Sequence, residues 1–276
     1  YGIEISFLQW FIFAFPFSVV LLLLCWVYLT KYAFKFEQKS FPGGMEEINT
    51  QLKNLGPISY EEKILFLVFV GTALAWITRS FLITPFIPAI DDSIIAMLSC
   101  FILFILPSKN PTVPLLNWKD TLHLPWGILL LFGGGMALAV GFETSGLAVW
   151  IGEHLKTLQT IPLLILLLLL IAAVNFLTEI TSNLATTAML LPILVSIASA
   201  IDVNPYFLLV GATIAASCAF MLPVATPPNA VVFGSGYLKI EDMIKTGFWL
   251  NIISIIILTA FVYFILPLLW DFSTIK

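Results

Sequence analysis

Thr178-Glu179-Ile180-Thr181-Ser182-Asn183-Leu184-Ala185-Thr186-Thr187 is a polar run between two apolar arms. Residues 161–178 before it carry no charge, and neither do residues 188–200 after it. Arms of this composition belong in a bilayer, where lipid offers polar groups no hydrogen bond. Each polar group in the run must therefore be satisfied by protein, water or ligand. Asn183 is a poor helix former and favours caps. A cap at Ser182 or Asn183 starts a second helix at Leu184. The two arms then form a hairpin with a polar tip inside the membrane, and the second arm aims its first N–H groups at that tip.

The composition of the whole chain agrees. Of its 276 residues, 60% are hydrophobic and 10% charged, and the mean hydropathy is +1.05. A soluble domain carries roughly a quarter charged residues, so the expectation is an all-α polytopic membrane protein. The apolar segments are 7–30, 64–84, 90–107, 125–143, 161–181, 183–200, 206–224 and 247–270. Cys25, Cys100 and Cys218 fall in such segments without paired spacing and read as small buried hydrophobes. The chain begins at Tyr1 and has no signal-peptide pattern. It reads as a part of a longer protein whose N-terminal portion precedes it.

Lysine placement gives an orientation. The polar stretch 31–63 holds Lys31, Lys35, Lys39, Lys53 and Lys63, which places it in the cytoplasm by the positive-inside rule. Alternation of the later segments then puts Lys109, Lys119, Lys239 and Lys245 on the same side. Residues 146–157 form a short amphipathic stretch with Leu147, Trp150, Ile151 and Leu155 on one face, suited to the interface plane or to an ordinary helix-end loop.

A second interruption is Ala225-Thr226-Pro227-Pro228-Asn229-Ala230, after Ala219-Phe220-Met221-Leu222-Pro223-Val224. Pro223, Pro227 and Pro228 cannot sit in one continuous helix, and the residue before each is pushed out of the α region. The expectation is a helix unwound around 223–228 that restarts near Pro228. Unwound carbonyls need a partner, and a hard cation such as Na+ takes oxygen ligands. Two such interruptions mark a transporter site near the midplane, where helix N-termini attract an anion and bare carbonyls hold cations. Neither cluster contains Lys or Arg. A dianion held there needs counter-charge from a co-bound cation, which is a physical reason for cation coupling.

Several residues have two readings. Thr186 and Thr187 either line the site or bond to the preceding turn. Glu179, an acid deep in an apolar stretch, is either functional or an anchor that accepts backbone N–H bonds. Gly133-Gly134-Gly135 reads as helix packing, and His123 and His154 as interfacial. The sequence has no phosphate loop, metal spacing or nucleophile motif. This argues against an enzyme, and nothing suggests a nucleic-acid partner.

On these residues the chain resembles the divalent anion–sodium symporter family, the sodium-coupled di- and tricarboxylate transporters. The resemblance rests on 178–187 and on Cys218-Ala219-Phe220-Met221-Leu222-Pro223-Val224-Ala225-Thr226-Pro227-Pro228-Asn229-Ala230. More weakly it includes Leu124-Pro125-Trp126-Gly127 and the glycines that follow. It implies an inverted-repeat, elevator-type transporter with a re-entrant helical hairpin and a broken transmembrane helix in each repeat, assembled as a homodimer. This chain would be the C-terminal half, completed by an N-terminal half. The implied division is a transmembrane helix (1–30), a cytoplasmic loop (31–63), scaffold helices (64–143) and an interfacial helix (144–160). The transport domain (161–246) and the last transmembrane helix with the C-terminus (247–276) follow. The implied sodium site falls on Thr178, Thr181 and Asn183, with a carbonyl from Ala225. The implied substrate contacts are Ser182, Asn183, Thr226 and Pro227. Where the family motif has Thr, this chain has Leu184, so a hydroxyl beside the substrate is lost. The implied activity is sodium-driven uptake of succinate, malate, fumarate or citrate across a plasma or bacterial inner membrane. The alternative is a sodium-independent anion exchanger or sulfate carrier of the same fold.

Overall fold

The structure, a computed structural model, describes residues 5–34, 44–109, 114–123 and 160–270, with scattered positions between 127 and 150. The segment 125–143 and the amphipathic stretch 146–157 therefore lie largely outside the described residues. The described residues are helical, without a β-strand. The helices are α1 (Phe7–Tyr28), α2 (Gly44–Leu55), α3 (Tyr60–Thr78), α4 (Asp92–Ile105) and α5 (Leu163–Thr178). They continue with α6 (Asn183–Ala200), α7 (Pro205–Ser217), α8 (Pro227–Gly234), α9 (Ile240–Ala260) and α10 (Leu266–Leu269). A wider π turn extends α1 over Leu29–Ala33, α3 over Arg79–Ile83 and α9 over Phe261–Ile265. With these extensions, four helices among the described residues are long and apolar enough to cross a membrane: Phe7–Ala33, Tyr60–Ile83, Asn183–Ala200 and Ile240–Leu269.

The chain divides into two compact units, Tyr1–Ile12 with Lys35–Leu124, and Phe13–Phe34 with Pro125–Lys276. In the first, α3 packs on α4. Ser59 caps α3 by accepting from the Glu62 N–H at 3.2 Å, while its own N–H donates to Glu62 Oε2 at 2.7 Å. Asp91 caps α4 through the Ile94 N–H at 2.7 Å. Within the polar stretch 31–63, Gly44–Leu55 is a helix. Its Met45, Ile48, Leu52 and Leu55 share one exposed apolar face at helical spacing.

Asp92 ties this unit together. It accepts from the Phe7 N–H at 3.0 Å and forms a 2.7 Å ion pair with Arg79 Nε, set off the hydrogen-bonding direction. Its carbonyl accepts from Trp76 Nε1 at 3.0 Å. The Arg79 side chain is 9% exposed and that of Asp92 30%, so the pair is only partly screened. Asp92→Ala is expected to destabilise the protein by about 2 kcal/mol, the scale of a hydrogen bond to a charged group. A lower melting temperature of the detergent-solubilised protein reads this out, with Asp92→Asn recovering part of the loss.

The second unit is built around α7. Both α5 and α6 pack on α7, and α9 packs on α5 and α7. Leu167, Ile171, Leu208, Leu258, Val262 and Leu266 are fully buried among these helices. An aromatic cluster adds Phe13 against Trp270, with ring centroids 6.2 Å apart, and Trp270 against Tyr206 at 5.0 Å. Edge-on pairs of this kind add to area burial. Asn204 starts α7 as an N-cap and Pro205 takes its first position, where a missing N–H costs nothing. Of the three glycines at 133–135, Gly135 has the packing role. A Cβ there would lie 2.9 Å from the Ala188 carbonyl oxygen, whereas Gly133 and Gly134 face open space.

Candidate functional site

The polar run forms a tight turn. The last residue of α5 is Thr178, four residues turn the chain, and α6 begins at Asn183 with Ser182 as its N-cap. The second helix thus starts one residue before the expected Leu184. Ser182 has the extended backbone of a cap but makes no side-chain cap bond. The hydroxyl of Ser182, which is exposed, therefore stays free of α6. Leu184 follows in the first turn and is 42% exposed.

The second interruption is longer than its prolines demand. The sequence places the unwinding around 223–228, but α7 already ends at Ser217 and α8 restarts at Pro227. The five additional residues are unwound because α5 captures their backbone. Asn175, Thr178 and Glu179 lie at i, i+3 and i+4 on α5 and its end, so they share one face. Asn175 Nδ2 donates to the Cys218 carbonyl, and Thr178 Oγ1 to the Ala216 carbonyl at 2.8 Å. These bonds satisfy one of the last carbonyls of α7 and that of its cap residue, groups which a helix end leaves without partners. Glu179 takes the N–H groups that follow. Its Oε1 accepts from Phe220 N at 2.8 Å and Met221 N at 3.0 Å, and its Oε2 from Leu222 N at 3.0 Å. Amides turned toward this carboxylate cannot extend the helix. Asn229 closes the far side, its Nδ2 donating to the carbonyls of Ala219 at 3.0 Å and Leu222 at 3.1 Å.

The anchoring reading of Glu179 is the one its contacts support. It is 3% exposed and also accepts from Asn251 Nδ2 at 2.8 Å. Helix α9 meets this assembly along Gly247, Asn251 and Ser254, spaced i, i+4 and i+7. Gly247 lies against the Phe220 carbonyl, Asn251 against Glu179, and Ser254 Oγ within 3.4 Å of Asn175 Nδ2.

Among the sequence-derived site residues, Thr178 and Asn183 are joined directly, Thr178 Oγ1 lying 2.7 Å from Asn183 Oδ1. The single Thr178 hydroxyl proton faces two acceptors, Asn183 Oδ1 and the Ala216 carbonyl. Thr181 Oγ1 donates to the Leu177 carbonyl at 2.9 Å and meets Thr186 Oγ1. Thr187 Oγ1 bonds back to the Asn183 carbonyl at 2.8 Å. Thr186 and Thr187 are thus both engaged within the hairpin. Ala225 is buried, and its N–H donates to the Leu222 carbonyl at 3.2 Å. Thr226 caps α8 by accepting from Asn229 N at 3.3 Å. Pro227 and Pro228 lack an N–H, and the N–H of Ala230 goes to the Thr226 carbonyl. The start of α8 therefore offers an anion few backbone donors, so donors at the break come from the Thr226 hydroxyl. Among the described residues no hydrogen bond runs directly from 178–183 to Ala225, Thr226 or Pro227. Glu179 and the segment it holds make the link. Asn175, Gly247, Asn251 and Ser254 were not marked from the sequence. The available signal was two asparagines in otherwise apolar helices.

The family described as sodium:sulfate symporter transmembrane region matches residues 1–270. The chain is similar to a protein named sodium-dependent dicarboxylate transporter SdcS from Staphylococcus saprophyticus, 46% identical over 271 residues. That alignment covers 97% of this chain and 52% of the relative. Proteins of the same name from Staphylococcus aureus strains MRSA252 and USA300 are 45% and 44% identical over 272 residues, with the same coverage. The chain thus spans about half the length of the curated relatives it matches. With the match extending over nearly every residue, the chain belongs to the sodium:sulfate symporter family, the divalent anion–sodium symporters, and is an integral multi-pass membrane protein.

Proposed function

We propose that this chain supplies the C-terminal half of a sodium-coupled symporter for small dicarboxylates, completed by an N-terminal half that carries a second, inverted copy of the hairpin and broken helix. The observation that carries the reading is the coupling of the tip to the break through Glu179, which supports a site drawn from both. Sodium is a transported substrate here. Thr178 Oγ1, Asn183 Oδ1 and the Ala216 carbonyl are three oxygens sharing one hydroxyl proton, a set suited to a hard cation. Thr181 and the carbonyl of Ala225 complete the implied set.

The anion is held by neutral donors. The Ser182 hydroxyl, the Asn183 amide, the Thr226 hydroxyl and the first-turn N–H groups of α6 are the available ones, with Pro227 shaping the wall. Helix N-termini favour negative charge, but neutral donors alone leave a dianion under-compensated in a low-dielectric site. Bound sodium supplies the missing charge. Sodium therefore raises substrate affinity, and substrate raises sodium affinity by the same factor. Succinate, malate and fumarate fit this chemistry, and the named relatives are dicarboxylate transporters. The hairpin is re-entrant and moves with the break as a transport domain, elevator-fashion, against a scaffold in a homodimer. The setting is a plasma or bacterial inner membrane, with 31–63 cytoplasmic.

Asn183→Ala is expected to abolish sodium-dependent succinate uptake in proteoliposomes while the protein still inserts and purifies normally. Uptake at the unaltered rate would remove Asn183 from the site. Uptake that requires a counter-anion and ignores sodium would replace symport by exchange.

A further inference from the structure

Beneath the tip, α5 and α9 face each other across a buried polar layer. Asn175 is 1% exposed, Asn251 0% and Ser254 1%. The layer has two rungs. Asn175 reaches Ser254 on one, and Glu179 reaches Asn251 on the other. The rungs are one helical turn apart, because Asn175 and Glu179 are spaced i, i+4 and Asn251 and Ser254 i, i+3.

Among the described residues, two oxygens in this layer have no partner. Asn175 Oδ1 and Asn251 Oδ1 are both buried without a hydrogen bond. Exchanging amide oxygen and nitrogen does not help. Asn175 Nδ2 faces the Cys218 carbonyl, and Asn251 Nδ2 faces the Glu179 carboxylate. A reversed amide would set oxygen against oxygen in each case, so neighbouring acceptors fix both orientations. A buried acceptor left unmet is costly, and such atoms in a native fold call for an occupant. The layer also contains an uncompensated charge. The Glu179 carboxylate is surrounded by neutral donors, the Phe220, Met221 and Leu222 amides and Asn251. Among the described residues no Lys, Arg or His forms an ion pair with it.

We infer that this layer binds a monovalent cation, liganded by Asn175 Oδ1, Asn251 Oδ1 and Ser254 Oγ, one helical turn from the Glu179 carboxylate. Neutral oxygen ligands next to a single carboxylate suit a monovalent ion better than a divalent one, which takes several carboxylates. A water molecule would satisfy an amide oxygen but leave the carboxylate without counter-charge. The site shares no residue with the sodium ligands proposed at the tip. Its occupant neutralises the group that locks hairpin to break, so it stabilises the assembly without touching the substrate.

Thallium(I) serves as the probe, as a monovalent ion with a strong anomalous signal. In crystals of the full-length protein grown with thallium acetate, an anomalous peak is expected within ligand distance of Asn175 Oδ1 and Asn251 Oδ1. Density there without anomalous signal would mean a water and overturn the inference, as would no density. A peak at Thr178 and Asn183 is scored separately and tests the tip reading alone. Asn175→Leu provides a solution test. In choline chloride the variant is expected to melt lower than wild type, because the Cys218 carbonyl loses its donor. In sodium or potassium chloride its cation-induced rise in Tm is expected to shrink. An equal loss of Tm in all three salts would mark Asn175 as structural only and count against the cation.

Discussion

Glu179→Ala is expected to abolish transport and to lower the stability of the hairpin assembly by several kcal/mol. The carboxylate accepts from the N–H groups of Phe220, Met221 and Leu222 and from the Asn251 amide. Truncation strands all four donors in a place that water and lipid reach poorly. An unmet buried donor costs about 1–3 kcal/mol, although relaxation and entering water lower the sum. Residues 218–226 would lose the group that keeps them unwound, and 220–222 would be driven toward helical pairing or disorder. Glu179→Gln separates shape from charge. It retains one acceptor oxygen but turns an NH2 toward backbone N–H groups, so it is expected to recover only a small part of the stability. Melting temperature and succinate uptake, measured on the same preparation, read both effects. A Glu179→Ala protein with unchanged Tm and uptake would mean that the tip and the break hold together without this residue.

Gly247→Ala is expected to be nearly as damaging, although it adds one methyl group. A Cβ at this position would fall on the Phe220 carbonyl group and 2.6 Å from Met221 Cα. All these atoms are backbone, so no side-chain rotation relieves the clash. Either α9 withdraws or the unwound segment shifts, and a shift pulls 220–222 away from Glu179. Overpacking costs typically about 1–3 kcal/mol, and here it acts on the segment that leads into the site. Uptake is therefore expected to fall more steeply than Tm. A Gly247→Ala protein with full uptake would show that the break tolerates displacement. Gly133→Ala is the matched control, because a Cβ there meets open space.

The sequence made the two interruptions legible because each violates a strong rule. A run with Thr178, Glu179, Ser182 and Asn183 has no place inside an apolar helix, and Pro223, Pro227 and Pro228 cannot continue one. The turn between α5 and α6 accordingly falls within one residue of its expected position. The start of the second break, Cys218 instead of Pro223, was not legible. Nothing in Cys218-Ala219-Phe220-Met221-Leu222 resists helix formation locally. These residues unwind because Asn175 and Glu179, some forty positions earlier, compete for their backbone groups, and a tertiary competitor of that kind leaves no local mark. The role of Gly247 was hidden for the same reason, since the group it makes room for is remote in sequence. Asn175 and Asn251 did leave a mark, as amides in otherwise apolar helices. Their partners became identifiable only when α5 and α9 were seen face to face. Helix α2 shows the opposite limit. Its charged and amide residues suggested a plain loop, while Met45, Ile48, Leu52 and Leu55 recur at helical spacing within it.

The most direct test is a thermal-shift titration of the full-length protein with succinate, in sodium chloride and in choline chloride of equal ionic strength. If the locked tip and break bind cation and dianion as one coupled site, succinate raises the melting temperature in sodium and leaves it unchanged in choline. An equal rise in both salts would contradict the account, because the anion would then be held without the cation's charge.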